Sequence, residues 1–433
     1  MPCFFVITLG QAVSRLGTGM TSFATVIWAW ELTGQATALA LVSFFSFLPW
    51  LFASPFAGVL VDRLDRKLVM ALSDLASGST TIAILVLYLG GNLQVWHLYA
   101  AAAISGAFGA FQFPAYSAAI SSMLSKEQYA RASGMLSLSR TVPNIAAPIL
   151  AGALLAVIGF AGILVIDITT FSLAVASLAF ILVPGVRAGE RVESGFWSDT
   201  LYGFRYIFAR PGLLGLQLTF SLLNLAAVLG FTVQSPMILA RSGNDEVVLA
   251  ATRSAGAVGG VVGGLLLSLW GGPRRKIHGV LGGLILASLL GQVLLGVGRE
   301  VVAWSVATFS VGMLAIVING SNQAIWQAKV EPAVQGRVFA TRSVISRLTT
   351  PLSMLLAGPL ADRVFEPAMM PGGSLAGMFG AVVGTGAGAG MALILFLAGC
   401  LGVAGGALGY AVRLVREVEV LVPDHDIATA SAD

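Results

Sequence analysis

Ala57-Gly58-Val59-Leu60-Val61-Asp62-Arg63-Leu64-Asp65-Arg66-Lys67 joins the end of one apolar run to the start of another. In a soluble protein a glycine with charges on its C-terminal side would mean a solvated turn. Here the flanks reverse that reading. The 433-residue chain is 57% hydrophobic and only 10% charged, with a mean hydropathy of +0.89. A soluble domain of that makeup would expose large apolar patches. The stretch therefore reads as a short hinge between two membrane helices. A spanning helix needs roughly 20 apolar residues at about 1.5 Å of rise each. Runs of that length are expected near 5–30, 36–60, 68–90, 96–122, 134–158, 161–183, 212–240, 247–270, 278–298, 301–327, 338–360 and 388–412. The expected fold is an all-α membrane protein with twelve transmembrane helices.

The first run has no basic stretch before it and carries Gln11, Ser14 and Arg15, so it reads as helix one and not as a cleaved signal. Cys3 and Cys400 lie far apart in apolar contexts, and His97, His278 and His425 stand at no ligand spacing. No disulfide framework, metal site, cofactor or catalytic residue is expected, and no enzyme. The net charge of +4 sorts by loop. Basic residues fall on one side at 63–67, 126–131, 187–210, 274–276, 329–337 and 413–416, and the other side offers Arg241, Arg299 and Arg363. By the positive-inside rule both termini are cytoplasmic in a multi-pass protein of the cell membrane. Nucleic acid is not an expected partner, and no required protein partner is implied.

The order Gly58, then Asp62-Arg63, then Arg66-Lys67 resembles the loop between helices two and three of the major facilitator superfamily of secondary transporters. It departs at Asp65, where that family usually has Gly. Gly58 and Gly264 are 206 residues apart, and the same offset pairs Gln11 with Gln217, Gly106 with Gly312, Arg131 with Arg337, and Leu150-Ala151-Gly152 with Leu356-Ala357-Gly358. The chain reads as six helices duplicated in parallel. Arg274-Arg275-Lys276 answers the first basic cluster, and Ser268 replaces the acid. The resemblance implies two six-helix bundles that rock around a central cavity. The expected domains are a bundle at 1–183, a cytoplasmic linker with an amphipathic helix at 184–211, a bundle at 212–412 and a cytoplasmic tail at 413–433 with no assigned function. In this picture Gly58, Asp62, Arg63, Arg66, Lys67, Gly264, Arg274 and Arg275 act as latches of a cytoplasmic gate.

Helix five carries Gly134, Pro143, Pro148 and Gly152, a pattern similar to that of the superfamily's drug antiporters. Gly256, Gly260 and Gly264 form a small-residue stripe in helix eight. The family analogy sets these two helices against each other, and tight packing alone is the plainer reading.

Ionisable groups within the hydrocarbon cost about 2.5–3.5 kcal/mol each and so point to function. Asp167, deep in helix six, is the expected proton carrier, with a fixed ion pair to Arg140 or Arg15 as the alternative. Asp74 is expected to pair with Arg63 or Arg66, and Arg342 to snorkel from a helix end. Arg347, Arg15 and Arg140 suggest tolerance for an anionic group on the substrate. Gln11, Gln112, Tyr116, Gln217, Asn224, Asn319, Asn322 and Gln323 complete the expected cavity, because helices one, four, seven and ten line the path in this superfamily. Trp326 reads as either a lining residue or an interfacial anchor, and 362–390 as an unstructured external spacer, with a mobile lid over the outer mouth as the alternative.

Phe111 to Ala119 and Ile166 to Phe171 look like the branch of drug antiporters that includes macrolide-efflux and siderophore-export proteins. The expected function is export of amphipathic small molecules, coupled to proton influx, with movement of lysophospholipid or another lipid as the alternative. A channel is disfavoured, since no charged ring or carbonyl filter is present.

Overall fold

The computed structural model describes residues 2–63, 66–123, 129–180, 196–331 and 334–424. Among these residues all regular structure is helical. The helices carry large apolar side chains on their outer faces as well as inside: Phe52, Phe231 and Leu269 are all exposed. Water would not tolerate that surface, but lipid does, and helices satisfy their own backbone groups there.

The residues group into two compact units, 1–191 with 242–254, and 192–241 with 255–433. Unit one is built from α1 (Pro2–Thr33), α2 (Ala36–Arg63), α3 (Arg66–Leu89), α4 (Val95–Met123) and α5 (Tyr129–Phe180). Here α1 packs along α5, α2 along α4, and α3 against both α4 and α5. Gly159 breaks α5 with φ 66° and ψ −178°, a region open essentially to glycine alone, so α5 is two arms rather than one rod.

Unit two contains α6 (Phe196–Phe208), most of α7 (Pro211–Ser242) and the later turns of α8 (Glu246–Trp270). It continues with α9 (Lys276–Ala287), a π-helical segment (Ser288–Val293), α10 (Leu294–Val297), α11 (Val301–Lys329) and α12 (Gln335–Leu360). A second π-helical segment (Ala361–Phe365), α13 (Glu366–Met369), α14 (Ala376–Val383), α15 (Ala389–Ala411), α16 (Arg413–Arg416) and α17 (Val418–Leu421) complete it. Among the described residues nine helical stretches are long and apolar enough to cross a membrane, with both arms of α5 in one of them. Counting those arms separately and adding α1 and α4, of 32 and 29 residues, gives the twelve spans.

Two expectations are corrected. The segment 362–390 is folded rather than an unstructured spacer. Met369 and Val383 are fully buried, and the Glu366 carboxylate accepts hydrogen bonds from the backbone N–H groups of Gly388 and Met391 at 3.2 and 3.1 Å, at the start of α15. Arg241 donates to the carbonyl oxygens of Gly298 and Val383, tying this cap to the ends of α7 and α10.

Likewise, 413–424 is part of unit two rather than a bare tail. Val415, Val418 and Val422 enter a core with Leu213, Leu216, Ile277 and Val338. Both Glu419 carboxylate oxygens take N–H groups at the start of α9, from Lys276 at 3.1 Å and Ile277 at 2.9 Å. Buried Lys329 donates to the Glu419 carbonyl and, at 2.7 Å, to Asp424. The helical spacing of the three valines is the signal that sequence reading passed over.

Candidate functional site

A cavity of about 370 Å³ lies inside unit one, lined by α1, α3, α4 and both arms of α5. Helical spacing delivers its polar groups. Arg15 and Thr18 fall at i and i+3 on α1, and Asp74, Ser77 and Thr81 at i, i+3 and i+7 on α3, while Gln11, one turn before Arg15, lies behind the wall. Gly17 lets α1 come in close, because a Cβ there would stand 2.2 Å from Thr170 Oγ1 and 3.0 Å from the Cα of Asp167.

Two buried acids share this cavity, wrapped by different chemistry. Asp74 Oδ2 accepts from Gln11 Nε2 at 2.8 Å, and Oδ1 accepts from Gln112 Nε2 at 2.7 Å. Gln112 Nε2 also lies 3.3 Å from Gln11 Oε1, so the three side chains form one network across α1, α3 and α4. This corrects the expectation that Asp74 belongs with the basic loop. Amide nitrogens only donate, so this shell is matched to a carboxylate.

Asp167 accepts instead from hydroxyls: Thr18 Oγ1 to Oδ1 at 3.1 Å and Thr81 Oγ1 to Oδ2 at 3.0 Å. The expected alternative of an ion pair with Arg15 or Arg140 is not formed; among the described residues this carboxylate is held by threonines. A hydroxyl can donate to a carboxylate or accept from a carboxylic acid, so this shell suits either form. Thr18, Thr81 and Asn144 were not singled out in the sequence, since Ser, Thr and Asn are common in membrane helices and carry no charge to betray them.

Arg15 and Arg140 both line the cavity, near enough for their charges to oppose each other, with Tyr116 and Asp74 also acting on Arg15. Tyr116 itself is buried and donates to Thr8 Oγ1 at 2.8 Å, off the cavity wall.

The remaining amides belong to unit two, where they mostly hold helices together. Gln217 Nε2 on α7 donates to Ser346 Oγ at 2.8 Å, and Asn224 Nδ2 to the Ser346 carbonyl at 3.2 Å, both on α12. Asn319 is exposed and donates to Ala315 O of its own helix, so it serves local structure. Gln323 Oε1 accepts from Arg342 Nη1 at 2.9 Å, and that guanidinium lies 5.2 Å from the Trp326 ring centroid. Arg342 is therefore held inward rather than snorkelling, and Trp326, fully buried in the core of unit two, is not an interfacial anchor. Asn322 is 1% exposed, with neither side-chain polar atom bonded among the described residues. Arg347 is exposed on α12.

Of the gate residues, Gly58, Asp62 and Arg63 continue the backbone of α2, and Arg66 opens α3. Their side chains lie outside the described residues, as do Leu64 and Asp65 entirely. Lys67 is half-buried. In the second copy Gly264 faces open space and so has no packing role. The turn is made instead by Gly271 and Gly272, at φ 73° and 78°. Gly271 stands 206 residues after Asp65, so the left-handed glycine lacking in the first copy is present in the second. Lys276 Nζ donates to Gly271 O at 2.7 Å, and Arg274 and Arg275 are exposed.

On the glycine stripe, a Cβ at Gly152 would lie 2.8 Å from Ala250 Cβ of the first turns of α8, which group with unit one. Pro148 is half-buried one turn earlier. Gly256 and Gly260 turn elsewhere: their nearest neighbours are Thr308 and Gly312 of α11, a correction to the expected α5 partner. Among the described residues no group of three or more His, Cys, Asp or Glu could hold a metal ion.

Comparison with known proteins agrees with this architecture. Residues 7–353 match the model of the Major Facilitator Superfamily. Macrolide efflux protein A of Streptococcus pyogenes is 28% identical over 83% of this chain and 90% of its own length. The multidrug efflux pump Tap of Mycolicibacterium fortuitum is 24% identical over 82% of this chain and 88% of its own. Among solved structures, a bacterial homologue of the iron transporter ferroportin in its inward-facing state superposes with a TM-score of 0.67 at 14% identity, covering 94% of this chain and 98% of that one. A bacterial homologue of the lysosomal transporter Spinster gives 0.66 at 14% identity, covering 98% of both. The chain belongs to the major facilitator superfamily; it is a multi-pass membrane transporter and not an enzyme.

Proposed function

We infer that this superfamily member exports amphipathic small molecules by alternating access, in exchange for protons carried on Asp167. The observation that carries the reading is the hydroxyl shell of Asp167 inside the unit-one cavity, where Thr18 and Thr81 can serve the carboxyl with or without its proton. Relatives named for macrolide and multidrug efflux support export and a drug-like cargo.

In this reading the moving bodies are 1–183 and 212–412, with 184–211 as linker. Both termini face the cytoplasm, and the clusters at 58–67 and 264–275 close the inner side. Gln217, Asn224, Asn322 and Gln323 supply neutral polar contacts to the cargo, as Gln11 and Gln112 do from unit one, and Arg15 supplies a charged one. Gly152 with Pro148, and Gly256 with Gly260, keep the helices close and bendable where they slide.

The test is uptake of amphipathic compounds into inside-out vesicles with and without an imposed pH gradient, comparing wild type with Asp167→Asn. Gradient-driven uptake that disappears in the variant at equal protein level is the expected result. Uptake that ignores both gradient and variant sinks proton exchange on Asp167.

A further inference from the structure

The charged groups lining the unit-one cavity are two acids and two arginines, and they are not evenly spread. Asp74 is already occupied by two amide donors. Asp167 sits apart among threonines. That leaves Arg15 and Arg140 as neighbouring guanidinium groups whose charges repel, with Asp74 the acid that acts on Arg15. Among the described residues Arg15 makes no hydrogen bond or ion pair, although its five N–H donors face a polar, partly enclosed space. A part-buried guanidinium with no partner, set beside a like charge, is costly unless an anion joins it, and Arg15 is in that position. A guanidinium fork is shaped for a carboxylate or phosphate.

From this geometry we propose that the cavity takes an amphipathic compound bearing an acidic group, a carboxylate or phosphate, which docks between Arg15 and Arg140. The inference rests on the exporter reading above and adds to it the chemistry of the cargo. The cavity volume of about 370 Å³ is at the small end of ligand pockets, which run about 300–1,000 Å³, so the headgroup of the compound is what it holds.

Charge bookkeeping then specifies the other end. With both acids ionised the four groups cancel, and a proton on Asp167 leaves one positive charge. An acid-only cargo would bind better with that proton present, and the two would travel together. Exchange requires competition, so the cargo also carries a basic group that displaces the proton from Asp167. The chemical class is a zwitterionic amphipath.

Three fluorescent probes separate these ideas: dansylcadaverine, with an amine; Nε-dansyl-lysine, the same molecule with an added carboxylate; and dansyl-6-aminohexanoic acid, with the carboxylate alone. Binding to the purified full-length transporter is read by dansyl fluorescence. Wild type is expected to prefer Nε-dansyl-lysine over each of the other two by about tenfold, the worth of one charge-assisted contact. The preference over dansylcadaverine collapses in Arg15→Gln and in Arg140→Gln and is largely kept in Arg15→Lys.

Equal binding of dansylcadaverine and Nε-dansyl-lysine by wild type overturns the proposal without recourse to any variant, as does a preference that survives both Gln substitutions. Equal binding of Nε-dansyl-lysine and dansyl-6-aminohexanoic acid overturns the zwitterionic class. Displacement of Nε-dansyl-lysine by dihexanoyl phosphatidylglycerol assigns the acid to a lipid headgroup, and displacement by free carboxylate compounds alone assigns it to a soluble cargo. Gradient-driven movement of dansylcadaverine that is lost in Asp167→Asn, with no carboxylate preference, would leave the exporter reading standing and remove this one.

Discussion

Gln11 and Gln217 stand 206 residues apart, at matching places in the two halves, and each directs a buried amide nitrogen to an oxygen 2.8 Å away. In unit one that oxygen belongs to the carboxylate of Asp74; in unit two it is the hydroxyl of Ser346. The same offset sets Val280 opposite Asp74 and Ile318 opposite Gln112, and both are buried in apolar surroundings. One copy of the scaffold keeps buried acids at the heart of its helices, and at the matching positions the other has aliphatic side chains and a neutral bond between α7 and α12. Each ionisable group in a span costs about 2.5–3.5 kcal/mol, so the copy that retains two acids and two arginines around one cavity is the one with chemistry to perform.

Moving charge to the wrong copy gives the largest effect. Val280→Asp places a carboxylate in a fully apolar core where Ile318 can offer no second donor, and an uncompensated buried charge costs about 3–5 kcal/mol. Loss of the monodisperse peak on size-exclusion chromatography in detergent is expected. A folded Val280→Asp protein with wild-type melting behaviour would break the comparison.

The reverse exchange is milder. Asp74→Val strands the amides of Gln11 and Gln112, at about 1–3 kcal/mol for each group left unpaired, and lowers Tm. Adding Gln112→Ile, which copies unit two, is expected to return part of that loss. A double variant no better than the single one would show that the two side chains do not act as a network.

Gln217→Leu removes a neutral bond and is expected to cost about 1 kcal/mol in thermal unfolding, clearly less than Asp74→Val. Asn319→Ala, at an exposed site bonded within its own helix, should stay within about 0.5 kcal/mol of wild type.

The helices were legible because a span must be an apolar run of known length, and all twelve expected runs find their helices. The break at Gly159 falls between the expected runs 134–158 and 161–183, so run length alone marked it. Segments outside the spans that fold on apolar contacts were not legible. The folded cap at 362–390 and the segment 413–424 were read by their small or charged residues, whereas their structure comes from Met369, Val383 and the spaced valines that pack inward.

At the candidate site the acids stood out by cost alone, but their partners did not. The bonds of Asp74 come from residues 63 and 38 positions away in sequence, chosen by how three helices cross, so nearness to the basic loop misled. Threonine in a membrane helix ordinarily bonds the preceding turn, and nothing in the sequence separates Thr18 and Thr81 from threonines that do only that.

The cap on α9 also bears on how the protein is made. Glu419 is synthesised 143 residues after Lys276, whose N–H it accepts. At about 5–20 residues per second that interval is roughly 7–30 s, during which the start of α9 and the ammonium of Lys329 wait in the nascent chain for groups not yet translated. Unit one has waits of the same length: Thr18 donates to Asp167, made 149 residues later, and Trp30 Nε1 to Asn244, made 214 residues later. Both units therefore pass through synthesis with buried polar groups awaiting later partners, and the bonds made by Glu419 are among the last to close.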